Sequence, residues 1–168
     1  MFGTSAKMAE PCQDAGGTPL LRGVVHASCV ARRGHGVLLL GAPGAGKSDL
    51  ALRLIDRGFR LVADDRVALV RRGAHLYAGL PCSALPAGLL EIRGLGLMRL
   101  RVRRRARLAV VLRLGAPDRV VRLPAPSLWH GVAALDLDPR GESAAQRAEW
   151  ALDAALGRRR QFAGAFAA

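Results

Sequence analysis

Gly41-Ala42-Pro43-Gly44-Ala45-Gly46-Lys47-Ser48 constrains this chain more than any other stretch of its 168 residues. It fits the pattern G-x-x-x-x-G-K-[ST], and phosphate chemistry dictates those residue types. Glycines let successive backbone N–H groups turn toward phosphate oxygens, the lysine ammonium neutralises β and γ charge, and the serine hydroxyl ligates Mg2+. The positive end of a following helix adds to the same field. With 20 glycines but only two lysines, Lys7 and Lys47, a chance match is rare. Such a loop needs a buried strand before it and a helix after it, and both are legible. Val37-Leu38-Leu39-Leu40 is a short, uninterrupted apolar run suited to a strand buried on both faces. After Gly46, residues Leu50, Ala51, Leu54 and Ile55 recur at helical spacing with Arg53, Asp56 and Arg57 opposite. Gly58 stands where a helix over about Lys47 to Arg57 would stop.

A length of 168 residues with 51% apolar composition suits one domain with a sizeable core. Residues 1–19 mix Gly, Ser, Thr, Pro and Gln with little periodicity and read as a loose tail, leaving 20–168 as a single domain. Val24 to Ala31 suits a strand, with turn chemistry from Arg32 to Gly36. Phe59 to Ala63 reads as another strand ending in Asp64-Asp65, and Val67 to Val70 continues apolar before the turn at Arg71-Arg72-Gly73. Strand, helix and strand in that order form the core of an α/β sheet. Leu97 to Val102 and Leu108 to Leu114 read as two more strands separated by a basic stretch, and Pro117 to Pro126 as a loop. Ser143 and Gln146 have capping-box spacing ahead of an Ala-rich helix over about 144–156, which Gly157 would end. There is no internal repeat.

The net charge of +13 would attract any polyanion, but 24 of the 26 basic residues are arginine, which reflects codon composition as much as binding. Aromatics are 4%, and no basic segment is interleaved with Phe or Tyr as a base-stacking surface needs. Specific nucleic-acid binding is not expected. Cys12, Cys29 and Cys82 are odd in number and scattered, with no metal-ligand spacing, and read as reduced thiols. No apolar run approaches the roughly 18 residues of a membrane span, and no signal peptide is legible. The expected location is cytoplasmic, away from membranes.

Asp64 and Asp65 stand at a strand end after the phosphate loop. In an extended chain neighbours point to opposite faces, so one carboxylate reaches a metal while the other faces elsewhere; the plainer reading is an acidic strand end beside Arg60 and Arg66. Mg2+ at a phosphate loop needs carboxylates, which favours the former. Glu91-Ile92-Arg93-Gly94-Leu95-Gly96 follows a Pro/Gly-rich stretch from Gly79 to Gly88. It suits a loop carrying a metal ligand and a phosphate-binding cation, or equally a surface turn. His26, mid-strand, reads as a structural or an active-site histidine. The run Arg101 to Arg107 reads as a solvated edge or a partner-binding face.

His26, GAPGAGKS, RLVADDRV (Arg60 to Val67) and LEIRGLG (Leu90 to Gly96) together resemble, in order and spacing, the catalytic domain of bacterial HPr kinase/phosphorylase. The likeness is strong over about residues 20–115 and weaker beyond. It implies an α/β phosphate-loop kinase domain of the HPr kinase/PEP carboxykinase-like type, with a mixed β-sheet flanked by helices. The implied reaction is transfer of the γ-phosphoryl of ATP to a serine of the phosphocarrier protein HPr, reversible by phosphorolysis, with regulation of the phosphotransferase system and carbohydrate metabolism as its setting. By the same resemblance Asp65 matches the general base, Lys47 and the loop Gly41, Ala42, Pro43, Gly44, Ala45, Gly46 and Ser48 hold ATP, and Ser48 and Glu91 match Mg2+ ligands, with Asp64 assisting the metal. His26 and Arg93 belong to the active site, and Arg119 is the candidate for a further active-site arginine. The family's assembly implies a homo-oligomer, a hexamer. The family's separate N-terminal domain has no counterpart here, as in short alphaproteobacterial-like forms, and Asp49 replaces the usual Glu. Two other readings share the loop: a small-molecule kinase, for which no Arg-rich lid follows the Asp64-Asp65 strand, and a nucleotide-binding regulatory module without turnover.

Overall fold

The computed structural model describes residues 22–81 and 88–167. The tail read over 1–19, Cys12 and Cys82 lie outside them. β1 (Arg22–Arg32) and β2 (His35–Leu40) form the expected antiparallel hairpin across Arg33-Gly34, with Ala27 opposite Leu40 and Arg32 opposite His35. The phosphate loop then leads into α1 (Lys47–Asp56). Gly58 N–H donates to Ile55 O at 3.0 Å and Phe59 N–H to Leu54 O at 3.1 Å. This pair of bonds ends the helix and turns the chain into β3 (Arg60–Ala63) with Phe59 packed in the core near Leu54. β4 (Arg66–Arg72) and β5 (His75–Gly79) follow as a second hairpin.

β1 is the organising strand. Its first half pairs with β4, and its second half lies between β2 and β3. β5 pairs with the start of β8 (Arg105–Leu114), which lies parallel to β2, so the path from β2 through β1, β4, β5 and β8 closes on itself. β10 (Val132–Leu137) adds parallel to β8, with β9 (Leu128–Trp129) at its edge. β2, β8 and β10 thus end on one edge of the sheet, the edge where ligands bind in sheets of this kind. β6 (Leu89–Ile92) and β7 (Gly96–Arg99) form a separate hairpin.

Two apolar clusters show why β2 is continuous in sequence. Val37 and Leu39 pack with α1 and α2 (Ala144–Ala155) on one face, while Leu38 packs with Cys29, Val62 and Val111 on the other. Both helices cover the same face. Arg32 ties them to β1: it donates to Glu149, and to Asp153 at 3.2 Å, and Arg57 meets Glu149 at 3.0 Å.

Several expectations need correction. The strand read over Leu97 to Val102 is the shorter β7, and Val102 makes only an isolated parallel bridge to Leu61. β8 begins inside the basic run, at Arg105, because the residues alternate: Ala106 and Leu108 are buried and Arg105 is exposed. β5, β9 and β10 were not legible as strands, and the loop read from Pro117 to Pro126 contains a short 3-10 turn, Pro117–Arg119. Ser143 does precede α2, but with φ −82° and ψ 5° it lacks the extended conformation of a capping serine and makes no side-chain cap bond.

Candidate active site

The phosphate loop leaves β2 at Leu40 and enters α1 through Gly46, whose φ is +88°. Asp49 and Arg53 on α1 pair at 3.1 Å. Arg53 also donates to Pro139 O, and to Gly141 O at 3.3 Å, so the segment after β10 is strapped over the start of the helix. Lys47 is 7% exposed, and its Nζ donates to Gly41 O and Ala42 O at 2.9 Å each. Burial pulls its pKa below the ordinary lysine value, against the opposing pull of Asp64 and Asp65.

The paired aspartates sit where β1 passes from one partner to the next. Cys29 lies opposite Ala63 and His26 opposite Arg66, so the register runs unbroken past the gap between β3 and β4 and sets Ser28 beside Asp64. Ala27 N–H donates to Asp65 O at 3.3 Å across that gap. The two carboxylates diverge as expected, but not by strand alternation. Asp65 has φ +65°, and Arg66 N–H closes a three-residue turn onto Asp64 O at 2.7 Å. A non-glycine residue held there costs roughly 1–3 kcal/mol, a strain that clusters at functional sites.

The turn sends the carboxylates to different partners. Asp64 accepts hydrogen bonds from Ser48 Oγ, at 3.2 Å to Oδ1 and 3.1 Å to Oδ2, and from Ser28 Oγ. Asp65 faces outward, 72% exposed, with its Oδ1 2.9 Å from His26 Nδ1; its own carbonyl lies 3.0 Å from the same nitrogen. One aspartate is therefore half-buried and held by hydroxyls, and the other is open to an incoming molecule.

A cleft of about 620 Å3 joins these groups. Its lining includes His26, Ser28, Pro43, Gly44, Gly46, Lys47, Ser48, Asp64 and Asp65, with Glu91 and Arg93 arriving from the β6–β7 hairpin. Glu91 itself lies in a strand and not in a loop. Gly41 and Ala42 take part through the carbonyls that hold Lys47, while Ala45 packs against the core. Arg119 is not brought in: it lies in the 3-10 turn against Gly115 and does not line the cleft. Ser28 and Asp49 line the cleft and were missed as site residues; a serine inside an apolar strand, two positions after His26 and so on the same face, was the available signal.

Among the described residues no three His, Cys, Asp or Glu side chains gather into a metal nest. The oxygens of Ser48, Asp64 and Glu91 in one cleft nevertheless suit Mg2+, which takes one or two carboxylates and completes its shell with phosphates and water.

The sequence profile described as "HPr Serine kinase C-terminal domain" matches residues 21–115. The HPr kinase/phosphorylase of Bordetella pertussis (strain Tohama I) is 41% identical over 123 residues, 67% of this chain and 40% of the relative. That of Burkholderia lata is 43% identical over 125 residues, 69% of this chain and 38% of the relative. The chain thus spans about two fifths of the length of these curated relatives. The structure of the Hpr(Ser) kinase/phosphatase from Coxiella burnetii superimposes with a TM-score of 0.67 at 23% identity, covering 80% of this chain and 97% of that one, and so shares its fold. Because the profile spans more than half of the 168 residues and takes in every cleft residue from His26 to Arg93, the chain belongs to the HPr serine kinase C-terminal domain family.

Proposed function

We propose that the chain is an ATP- and Mg2+-dependent kinase that phosphorylates a serine of an HPr-type phosphocarrier protein and reverses the step by phosphorolysis. The observation that carries this reading is the split between the aspartates: Asp64 half-buried and held by Ser48, and Asp65 open to the cleft beside His26. A small-molecule or water acceptor does not need so exposed a carboxylate, whereas a folded protein must present its serine from outside. The names of the relatives, HPr kinase/phosphorylase, support the same acceptor.

Phosphoryl transfer asks the protein for positioned charge more than for covalent chemistry. The loop amides and the Lys47 ammonium take the phosphate oxygens. Ser48, Asp64 and Glu91 would hold Mg2+, which would supply neutralisation of the phosphate charge that builds up in transfer. Asp65 accepts the serine proton as the serine Oγ bonds to phosphorus, and the bond to the ADP oxygen breaks. In reverse, a phosphate oxygen attacks phosphoserine, Asp65 returns the proton to the departing serine, and pyrophosphate leaves. His26 orients the Asp65 carboxylate, and Arg93 offers a cation to the transferring group. The resemblance that supports this chemistry also supports a hexamer in the cytoplasm; among the described residues no helix is long and apolar enough to cross a membrane.

Incubation with ATP, Mg2+ and HPr, followed by mass spectrometry, tests the proposal. Phosphoserine on HPr is the expected result; ATP bound without any transfer would leave a nucleotide-binding regulatory module in its place.

A further inference from the structure

Ser28 stands out among the cleft residues because it is fully buried, 0% exposed, between the apolar neighbours Ala27 and Cys29 on β1. A buried hydroxyl needs a partner, and its single proton goes to Asp64 Oδ1. Ser48 Oγ reaches the same carboxylate, within 3.2 Å of Oδ1 and 3.1 Å of Oδ2. The two hydroxyls therefore do unequal work. Ser48 leads α1 and faces the phosphate loop, whereas Ser28 comes from a strand with no part in the loop and approaches one oxygen only.

A carboxylate turns easily about its last torsion, which is broad and nearly two-fold, so one donor does not fix it. A second donor on one oxygen does: with Oδ1 engaged from β1, the plane of Asp64 is set and Oδ2 is the oxygen with acceptor capacity left over. The β1–β3 register that places Cys29 opposite Ala63 holds both ends of this contact. We infer that Ser28 is a positioning residue for the metal site, acting through Asp64 to aim one carboxylate oxygen at the cation that accompanies the nucleotide. The inference rests on the reading of the cleft as a Mg2+-nucleotide site. Groups of this outer kind typically cost ten- to a hundredfold in metal affinity when removed.

The test measures the affinity of a fluorescent ATP analogue with and without Mg2+, and takes the ratio as the readout. Mn2+ binding in the presence of nucleotide, followed by its EPR signal, reports the cation directly. Ser28→Ala should lower the ratio roughly tenfold and weaken Mn2+ binding by a similar factor. Ser28→Thr keeps the hydroxyl and should restore most of both. If the alanine variant does not fold, Ser28→Cys, nearly the same size but a poor donor, is read in its place. A ratio retained in Ser28→Ala while Asp64→Asn loses it overturns the inference and leaves the Mg2+ reading intact. So does a loss of affinity equal with and without Mg2+, which marks a merely structural serine. A ratio retained in Asp64→Asn as well sinks both the inference and the Mg2+-nucleotide reading.

Discussion

Gly46 and Gly58 flank α1 with the same left-handed backbone, φ +88° and +86°, and so form a matched pair of perturbations. A side chain in that conformation costs an L-residue about 1–2 kcal/mol. Around Gly58 nothing lies within 4 Å of where a Cβ would stand, so Gly58→Ala carries that strain alone. At Gly46 a Cβ would meet Pro139 Cγ at 3.3 Å and Pro139 Cβ at 3.4 Å. Pro139 cannot yield freely, because its carbonyl accepts from Arg53, which also holds Gly141 O at 3.3 Å and Asp49 at 3.1 Å. Crowding of this kind adds about 1–3 kcal/mol. In a domain of this length 1 kcal/mol moves the unfolding midpoint by about 2–4 °C. Gly58→Ala should therefore lower Tm by about 4 °C and Gly46→Ala by about twice as much, measured by circular dichroism. The loop has to shift to relieve the contact, so nucleotide titration should show weaker ATP binding for Gly46→Ala and unchanged binding for Gly58→Ala. Equal losses of Tm with equal ATP affinity would refute the claim that the strap from Arg53 to Pro139 shapes the phosphate loop.

Lys47→Met keeps the aliphatic stem and removes the charge; hydrogen bonds to a charged group are worth about 1.5–3 kcal/mol, so calorimetry should show ATP affinity falling roughly ten- to a hundredfold. Because burial lowers the Lys47 pKa from its ordinary 10.5, wild-type ATP affinity should decline as pH rises toward that value, and Lys47→Met should not share the decline. The Arg32 hydrogen bond, helped by Arg57, holds the Glu149 carboxyl below its ordinary 4.5. A depressed carboxylate stabilises the fold above its unfolded pKa and loses that contribution as pH falls through its folded one. Glu149→Gln should accordingly cost about 1–2 kcal/mol at pH 7, a deficit that shrinks below pH 4.5 in urea unfolding; a deficit independent of pH would contradict the ion-pair account.

Legibility in the sequence followed local physics. The loop, β2 and α1 were readable because their chemistry is local: glycine positions, a continuous apolar run, and 3.6-residue periodicity closed by Gly58. The start of β8 was hidden because arginines occupy its solvent face, so charge masked an alternation that burial of Ala106 and Leu108 reveals. β10 is as long as β2, six residues, but it lies between β8 and β9, an arrangement set by pairing across the sheet that no local pattern encodes. In the site, the residue types at Asp64 and Asp65 were informative, yet their divergence depends on the positive φ of Asp65, which follows from the handover of β1 between partners. Ser28 and Pro139 matter through contacts made across 36 residues in one case and through packing on Gly46 in the other, and neither leaves a motif. Arg119 was proposed on resemblance alone, and the fold gives it no place in the cleft.

The central claim is that Asp65 serves the acceptor while the loop, Lys47, Ser48 and Asp64 serve the nucleotide. Asp65→Asn tests it most directly, since an amide keeps the size of the side chain but cannot take a proton. Transfer to HPr serine and Mg2+-ATP affinity should be measured on the same preparation, beside the wild type. The account predicts near-wild-type ATP affinity with phosphoserine formation reduced about a hundredfold or more, as expected when a general base is lost. Undiminished phosphoserine formation by Asp65→Asn would contradict it.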